Sequence, residues 1–448
     1  MLVIGVLLLL ATPLQRSAQD NPLTPGEETY SHLNNLGVES LSFYDLIIHQ
    51  LSLFLPLGFI IIGLPLLLAI ISSLLFYLII RDKVSSEIEL YLSLGILFLT
   101  PAFITMHLGL TVYSLILALS LAIVYTYKIN SRAYLLFLFL LYLTMPFLAI
   151  LFFVWLFFQT NIHDKKTDSL LLFLSLGMTV VVGSLVPFVP KPFANLNIGF
   201  FANEIFNFLG GTYGFVLFSF ALGFIGLYLE KNSLFNVGQR TVLTLVLVFS
   251  LFYEPLRIVF IPFLAFFAAK SLNDLMSRDW SVSYLKELTV ILFICMLLFA
   301  TLSGIKENTE NIPTVHQKEA YLFLQAVKDK NIEVDGSKVL TNPTYGEILT
   351  YFSKLDAFSF SDKNLNVDIA NSLLKSRDYS YIKSELQKEK IAFVYVDEMM
   401  MQGNILERPD QGILFVMEHN DNFKLIYSKN KDKIYYFTLW NGDIENAS

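Results

Sequence analysis

Residues 51–80 read LSLFLPLGFIIIGLPLLLAIISSLLFYLII, and Arg81-Asp82-Lys83 follow. No charge interrupts the run, and it exceeds the roughly twenty apolar residues that carry a helix across a bilayer. Lipid offers backbone groups no hydrogen-bond partner, so such a run must fold as a helix. The same pattern extends along the chain. Apolar stretches at 86–102, 108–127, 170–187, 213–230 and 283–304 each fit one span. Residues 241–275 fit two short spans, and residues 133–159 predict two partial helices meeting near Pro146. Met1–Thr12 is apolar but short. It reads either as the core of a signal peptide, with Ser17 and Ala18 near a cleavage point, or as a short or N-terminally truncated first span. The missing positive n-region favours the span. The expected fold is an α-helical polytopic membrane domain of about eleven spans, residues 1–305, with an outer first loop at 14–50. A C-terminal α/β soluble domain, residues 306–448, follows a short linker near Lys306–Pro313.

Composition agrees. Of the 448 residues, 55% are hydrophobic and only 15% are charged, against roughly a quarter charged in soluble proteins. A net charge of -7 excludes a generally basic nucleic-acid binder, so no nucleic-acid partner is expected. The single cysteine, Cys295, can form no internal disulfide.

Basic residues set the orientation. Arg81 and Lys83, Lys128 and Arg132, Lys165 and Lys166, Lys231 and Arg240, and Lys270, Arg278 and Lys286 all fall on one side of the proposed spans. The positive-inside rule makes that side cytoplasmic. Arg16, Lys191 and Arg257 fall on the other side. The chain is therefore expected in the cell membrane as a multi-pass protein, with its C-terminal domain extracytoplasmic. In that domain a helical pattern runs from Val315 to Lys328, and another from Tyr379 to Lys388. Lys338–Thr341 and Ile391–Val396 read as buried strands. Phe423–Tyr427 and Lys433–Phe437, flanking Lys429-Asn430-Lys431-Asp432, read as a hairpin.

The outer side carries few ionisable residues. Asp20, Glu27, Glu28, Glu39 and Asp45 lie in the first loop, His107 in the second, Glu204 in a later one, and Glu254 and Arg257 border the tenth span. Carboxylates there can act as general bases or divalent-metal ligands. An arginine can grip a phosphate through its planar fork. Each has a plainer reading: solvated loop carboxylates, an interfacial histidine, a local partner for Glu204, a structural Glu254–Arg257 ion pair. No Walker loop, HExxH, Cys-x-x-Cys or GxSxG elbow occurs, which argues against an ATP-driven pump, a zinc protease and a serine hydrolase of the usual kinds.

Several short stretches resemble the membrane GT-C glycosyltransferases, especially the archaeal branch of oligosaccharyltransferase catalytic subunits. Gly26-Glu27-Glu28-Thr29-Tyr30-Ser31-His32-Leu33 is similar to that family's first outer loop, where an acidic residue precedes an aromatic. Leu256–Ala265 resembles the late span whose arginine meets the lipid phosphate, and Asn203-Glu204 before Gly210-Gly211 resembles the outer-loop glutamate. Val339–Gly346 is similar to the Trp-Trp-Asp-Tyr-Gly region, with Thr344 in place of Asp and no preceding tryptophan. The second outer loop, Thr100–His107, lacks the family's paired acids, and Asn34 stands where an arginine is expected.

The resemblance implies a glycosyltransferase moving a sugar from a polyprenyl-phosphate donor in the lipid bilayer to an acceptor polypeptide or glycan outside, in protein glycosylation. It implies Glu28 and Glu27 as catalytic, and Arg257, Glu204, Tyr345 and His107 as substrate-binding. It also implies a divalent ion, Mg or Mn, held by Glu28 and Glu204. The alternatives are a non-catalytic GT-C relative or assembly subunit, and a transporter. Against the transporter stand the lack of an inverted repeat and the scarcity of mid-span ionisable residues.

Overall fold

The computed structural model describes residues 5–7, 9–10, 27–36, 42–162, 177, 217–229, 247–250, 253–280, 283–310, 314–330, 336–360, 365–397, 400 and 412–439. The chain divides into two compact units, Met1–Ser17 with Val38–Asn311 and Ala18–Gly37 with Ile312–Ser448. The expected first outer loop is thereby shared. Helix α1 (Glu27–Asn35) belongs to the second unit and α2 (Phe43–Ser52) to the first.

In the first unit, α3 (Leu57–Ile80), α10 (Glu254–Ser277) and the Tyr284–Lys306 stretch of α11 (Ser283–Glu310) are long and apolar enough to cross a membrane. Helices α4 (Glu87–Phe98) and α5 (Pro101–Leu108) meet that measure together as a pair bent by 55°. Helices α6 (Val112–Lys128), α7 (Ala133–Thr144), α8 (Pro146–Ile162) and α9 (Leu217–Leu229) are apolar but shorter. Three or four full spans thus stand among the described residues where about eleven were expected. Residues 170–187 and 241–246 lie outside the description apart from Gly177.

Proline and capping chemistry explain where the expected spans break. Residues 51–80 do not form one helix, because α3 starts after its N-cap Pro56. The preceding α2 begins with a capping box, the Ser42 hydroxyl accepting from the Asp45 amide at 3.1 Å while Asp45 Oδ2 accepts from the Ser42 amide at 3.0 Å. Asp45, a loop carboxylate in the sequence reading, is therefore a buried helix cap. The run at 86–102 is broken before Pro101, which opens α5 at its first turn. Pro146 opens α8 immediately after Met145, matching the expected pair of partial helices. Helix α11 continues to Glu310, so residues 306–310 are helical where a linker was expected.

Helix α10 is the axis of this unit. Of its most apolar 18 residues, 89% are buried. Helix α9 reaches it at Gly226, where a Cβ would run into the Phe267 carbonyl oxygen. Small residues of this kind let backbones approach closely inside membranes. At another end of the unit the Lys128 ammonium bonds the Leu78 and Ile79 carbonyls at 2.9 and 3.0 Å and Asp82 at 2.9 Å. Two of the basic clusters assigned to the cytoplasm therefore meet.

The second unit is built on a five-stranded mixed sheet, order β2-β1-β3-β5-β4. Strands β1 (Lys338–Leu340), β2 (Asp356–Ala357) and β3 (Ile391–Val396) pair in parallel, and β3, β5 (Asp432–Phe437) and β4 (Phe423–Lys429) antiparallel. Every residue of β3 is buried, which is why its sequence reads as an unbroken apolar run. The β4–β5 hairpin turns at Asn430 and Lys431, φ 49° and 71°, the two positive values that a tight hairpin turn demands. Around the sheet lie α12 (Val315–Lys330), α13 (Gly346–Ser353), α14 (Val367–Lys375), α15 (Tyr379–Lys388) and α16 (Ile413–Glu418).

A buried polar link ties α12 to the end of β3. The Gln317 amide donates to Asp397 Oδ2 at 2.7 Å, and the Met400 amide donates to Oδ1 at 2.7 Å. Asp397 is only 1% exposed. Gln317→Leu strips one donor from a buried carboxylate and is expected to destabilise this unit by about 1.5–3 kcal/mol. Thermal unfolding of the full chain checks it, and an unchanged midpoint would refute the link.

Candidate functional site

Helix α1 has the sequence EETYSHLNN and packs on α13 of its own unit. Tyr30, Leu33 and Asn34 fall on one helical face at spacings of three and four. The Tyr30 ring lies 5.5 Å from Tyr351 and 5.7 Å from Phe352, and Leu33 is buried. The Asn34 amide donates to the Glu347 main-chain oxygen at 3.0 Å and to its carboxylate Oε2 at 2.8 Å. Glu28 and His32, four residues apart, share a different face, and both are half-buried. Glu28 is thus partly open to solvent on a helix whose other side is fixed. Glu27 opens the same helix.

The turn expected to matter for substrate is a 3₁₀ turn, Pro343–Tyr345, running into α13. Asn342 Oδ1 accepts from the Thr344 amide at 3.2 Å, leaving the Thr344 side chain exposed. Tyr345 turns inward and is 7% exposed. Burial, reinforced by Asp397, pushes its phenol up to about 12, and Gln317 hydrogen-bonds it. Tyr345 is therefore a neutral strut across the physiological range. Gly346 is required by contact, because a Cβ there would strike the Ser359 carbonyl oxygen.

Two further residues lie in the first unit. His107 is 4% exposed in α5, all of whose side chains are buried. Its Nδ1 lies 2.8 Å from the Phe103 carbonyl, and its ring 4.5 Å from the Phe103 ring. In the neutral ring the proton sits on Nδ1 facing that carbonyl, which leaves Nε2 as an acceptor. Nε2 has no hydrogen-bond partner among the described residues. Arg257 is 6% exposed in the first turn of α10, with Nε 3.5 Å from the Ser250 carbonyl oxygen. Glu254, one turn earlier, is half-buried. Asp20, Glu39 and Glu204 lie outside the described residues.

Glu28, Tyr345 and Thr344 therefore belong to one unit, and His107 and Arg257 to the other. Among the described residues no group of three or more His, Cys, Asp or Glu converges as a metal site. Glu204, the expected partner of Glu28 in holding Mg or Mn, lies outside the described residues. Sequence reasoning missed the Asn34–Glu347 pair. Asn34 drew notice only as a departure from a family pattern, and a contact between residues 313 apart leaves no local signal.

The arrangement of helices and mixed sheet is similar to that of solved oligosaccharyltransferase and ArnT structures. In particular, the Archaeoglobus fulgidus oligosaccharyltransferase in complex with Zn and sulfate is similar at a TM-score of 0.63 and 10% identity, covering 99% of this chain and 74% of that one. The oligosaccharyltransferase AglB of that organism, in complex with an inhibitory peptide and a dolichol-phosphate, is similar at 0.61 and 10% identity, with coverage of 99% and 74%. ArnT from Cupriavidus metallidurans in the apo state is similar at 0.51 and 9% identity, covering 92% and 93%. No family model and no curated protein matches the sequence.

Proposed function

We propose that this chain is a membrane glycosyltransferase that moves a sugar from a polyprenyl-phosphate donor to an acceptor polypeptide or glycan on the extracytoplasmic side. The observation that carries the reading is the fold likeness over 99% of the chain to an oligosaccharyltransferase whose complex holds a dolichol-phosphate and a peptide. A half-buried carboxylate, Glu28, and a buried guanidinium, Arg257, suit that chemistry.

In the reaction the bond from the sugar's anomeric carbon to the phosphate oxygen breaks, and a bond to the acceptor's nucleophilic atom forms. The acceptor's proton passes to the Glu28 carboxylate, with Glu27 beside it. The leaving lipid phosphate keeps the electron pair, and Arg257 stabilises its charge through paired N–H donors. His107, with a buried acceptor nitrogen, and Glu204 complete the substrate contacts in this reading. Tyr345 acts from beneath the exposed Thr344. The test is transfer from a panel of polyprenyl-phosphate sugars to peptide and glycan acceptors by the purified chain in nanodiscs. Absence of transfer from every donor would overturn it in favour of a non-catalytic role.

The reading requires an extracytoplasmic second unit. A glycosylation tag or single cysteine placed at Ser448 is expected to react from outside, and one at Lys83 from the cytoplasm. The reverse pattern would refute the orientation.

A further inference from the structure

We propose that Asn34 and Glu347 are positioning residues that set the rotation of α1 and thereby the direction in which Glu28 is presented; this rests on Glu28 being the base. Helix α1 is nine residues long. Isolated helices shorter than about 12–15 residues are marginal in water, so its structure depends on what it docks against. The docking has two parts of different character. Tyr30 against Tyr351 and Phe352, with Leu33 buried, supplies apolar contact, which holds a helix to a surface without fixing its rotation. The Asn34 amide supplies direction. Its two contacts, 3.0 Å to the Glu347 main-chain oxygen and 2.8 Å to Oε2, pin one point of the helix surface to α13.

Glu347 is suited to this task. It is 1% exposed in the first turn of α13, and Gly346 before it is packed against the Ser359 carbonyl. A buried carboxylate needs its hydrogen bonds, and a bond to a charged acceptor is among the stronger ones. Successive residues of a helix are about 100° apart, so a slip of one residue would swing Glu28 off its present face. The amide pair opposes that slip where ring contacts alone would tolerate it.

The experiment uses the full chain in nanodiscs with three variants: Asn34→Asp, Glu347→Gln, and both together. Asn34→Asp sets a carboxylate against a carboxylate. Amide hydrogen exchange in α1 is expected to rise about tenfold or more, with β3 unchanged. Sugar transfer should fall in kcat, with KM for the donor unchanged. The double variant reverses donor and acceptor of the side-chain bond, the amide now on α13 donating to a carboxylate on α1. It does not restore the bond to the Glu347 main-chain oxygen, so it should return both exchange and kcat part of the way to wild type. Unchanged α1 exchange in Asn34→Asp would overturn the clamp. So would a double variant no better protected than the single one. Loosened α1 with unchanged kcat would overturn the positioning role. A wild type that transfers no sugar while α1 responds as described sinks the transferase reading and the positioning role together, and leaves the clamp established by exchange alone.

Discussion

Glu28→Gln is expected to lower sugar transfer by about 10²–10⁴-fold, the usual contribution of a general base, while membrane insertion and unfolding temperature stay at wild-type values. The substitution keeps the side chain's size and a hydrogen-bonding oxygen, and removes its negative charge together with its capacity to take a proton. Stability should hold, because Glu28 does not lie on the face of α1 that meets α13. That face is carried by Tyr30, Leu33 and Asn34. Glu27→Gln should lose less, since the family resemblance places the acid of the first outer loop at Glu28. Equal losses from both would assign the base to the pair and not to Glu28. Wild-type transfer by Glu28→Gln would remove Glu28 from the chemistry altogether.

The C-terminal fold was largely legible because its signals are local. Ile391–Val396 is apolar at every position and is buried at every position. The Asn430-Lys431 turn lies where two alternating segments meet. The membrane part was legible as apolar runs but not as elements, because lipid-facing and packed helices use the same residues. Nothing in residues 51–80 but Pro56 marks the start of α3, and nothing in 86–108 but Pro101 marks the 55° bend. Glu28 could be singled out from its loop, yet its attachment to the C-terminal unit could not. That attachment rests on the Tyr30 ring against Tyr351 and Phe352 and on the Asn34 amide meeting Glu347, contacts between residues far apart in the chain. Tyr345 shows the converse. The resemblance implied Tyr345 as a substrate-binding residue, and the turn closed by Asn342 exposes Thr344 while Tyr345 turns inward.

Arg257→Gln is expected to weaken binding of a polyprenyl-phosphate donor by roughly 10- to 150-fold, the range set by losing a charge-assisted contact worth about 1.5–3 kcal/mol. Arg257 is the residue to test because its burial is expensive. A guanidinium keeps its charge at any accessible pH, and a charge held away from water must be compensated. Within the described structure one of its contacts runs from Nε to the Ser250 carbonyl at 3.5 Å, and an anionic headgroup would add a charge-assisted one. The competing explanation is a structural pair with Glu254, one turn away in the same helix. The two explanations predict different patterns. If Arg257 holds phosphate, Arg257→Lys should bind at an intermediate strength, keeping the charge but losing the planar fork, and Glu254→Gln should leave donor affinity near wild type. If the pair is structural, Arg257→Gln and Glu254→Gln should lower the unfolding temperature alike and leave the affinity of the folded fraction unchanged. Donor titration in nanodiscs, alongside thermal unfolding of the same samples, separates them. An Arg257→Gln protein that binds donor as tightly as wild type would exclude the phosphate contact.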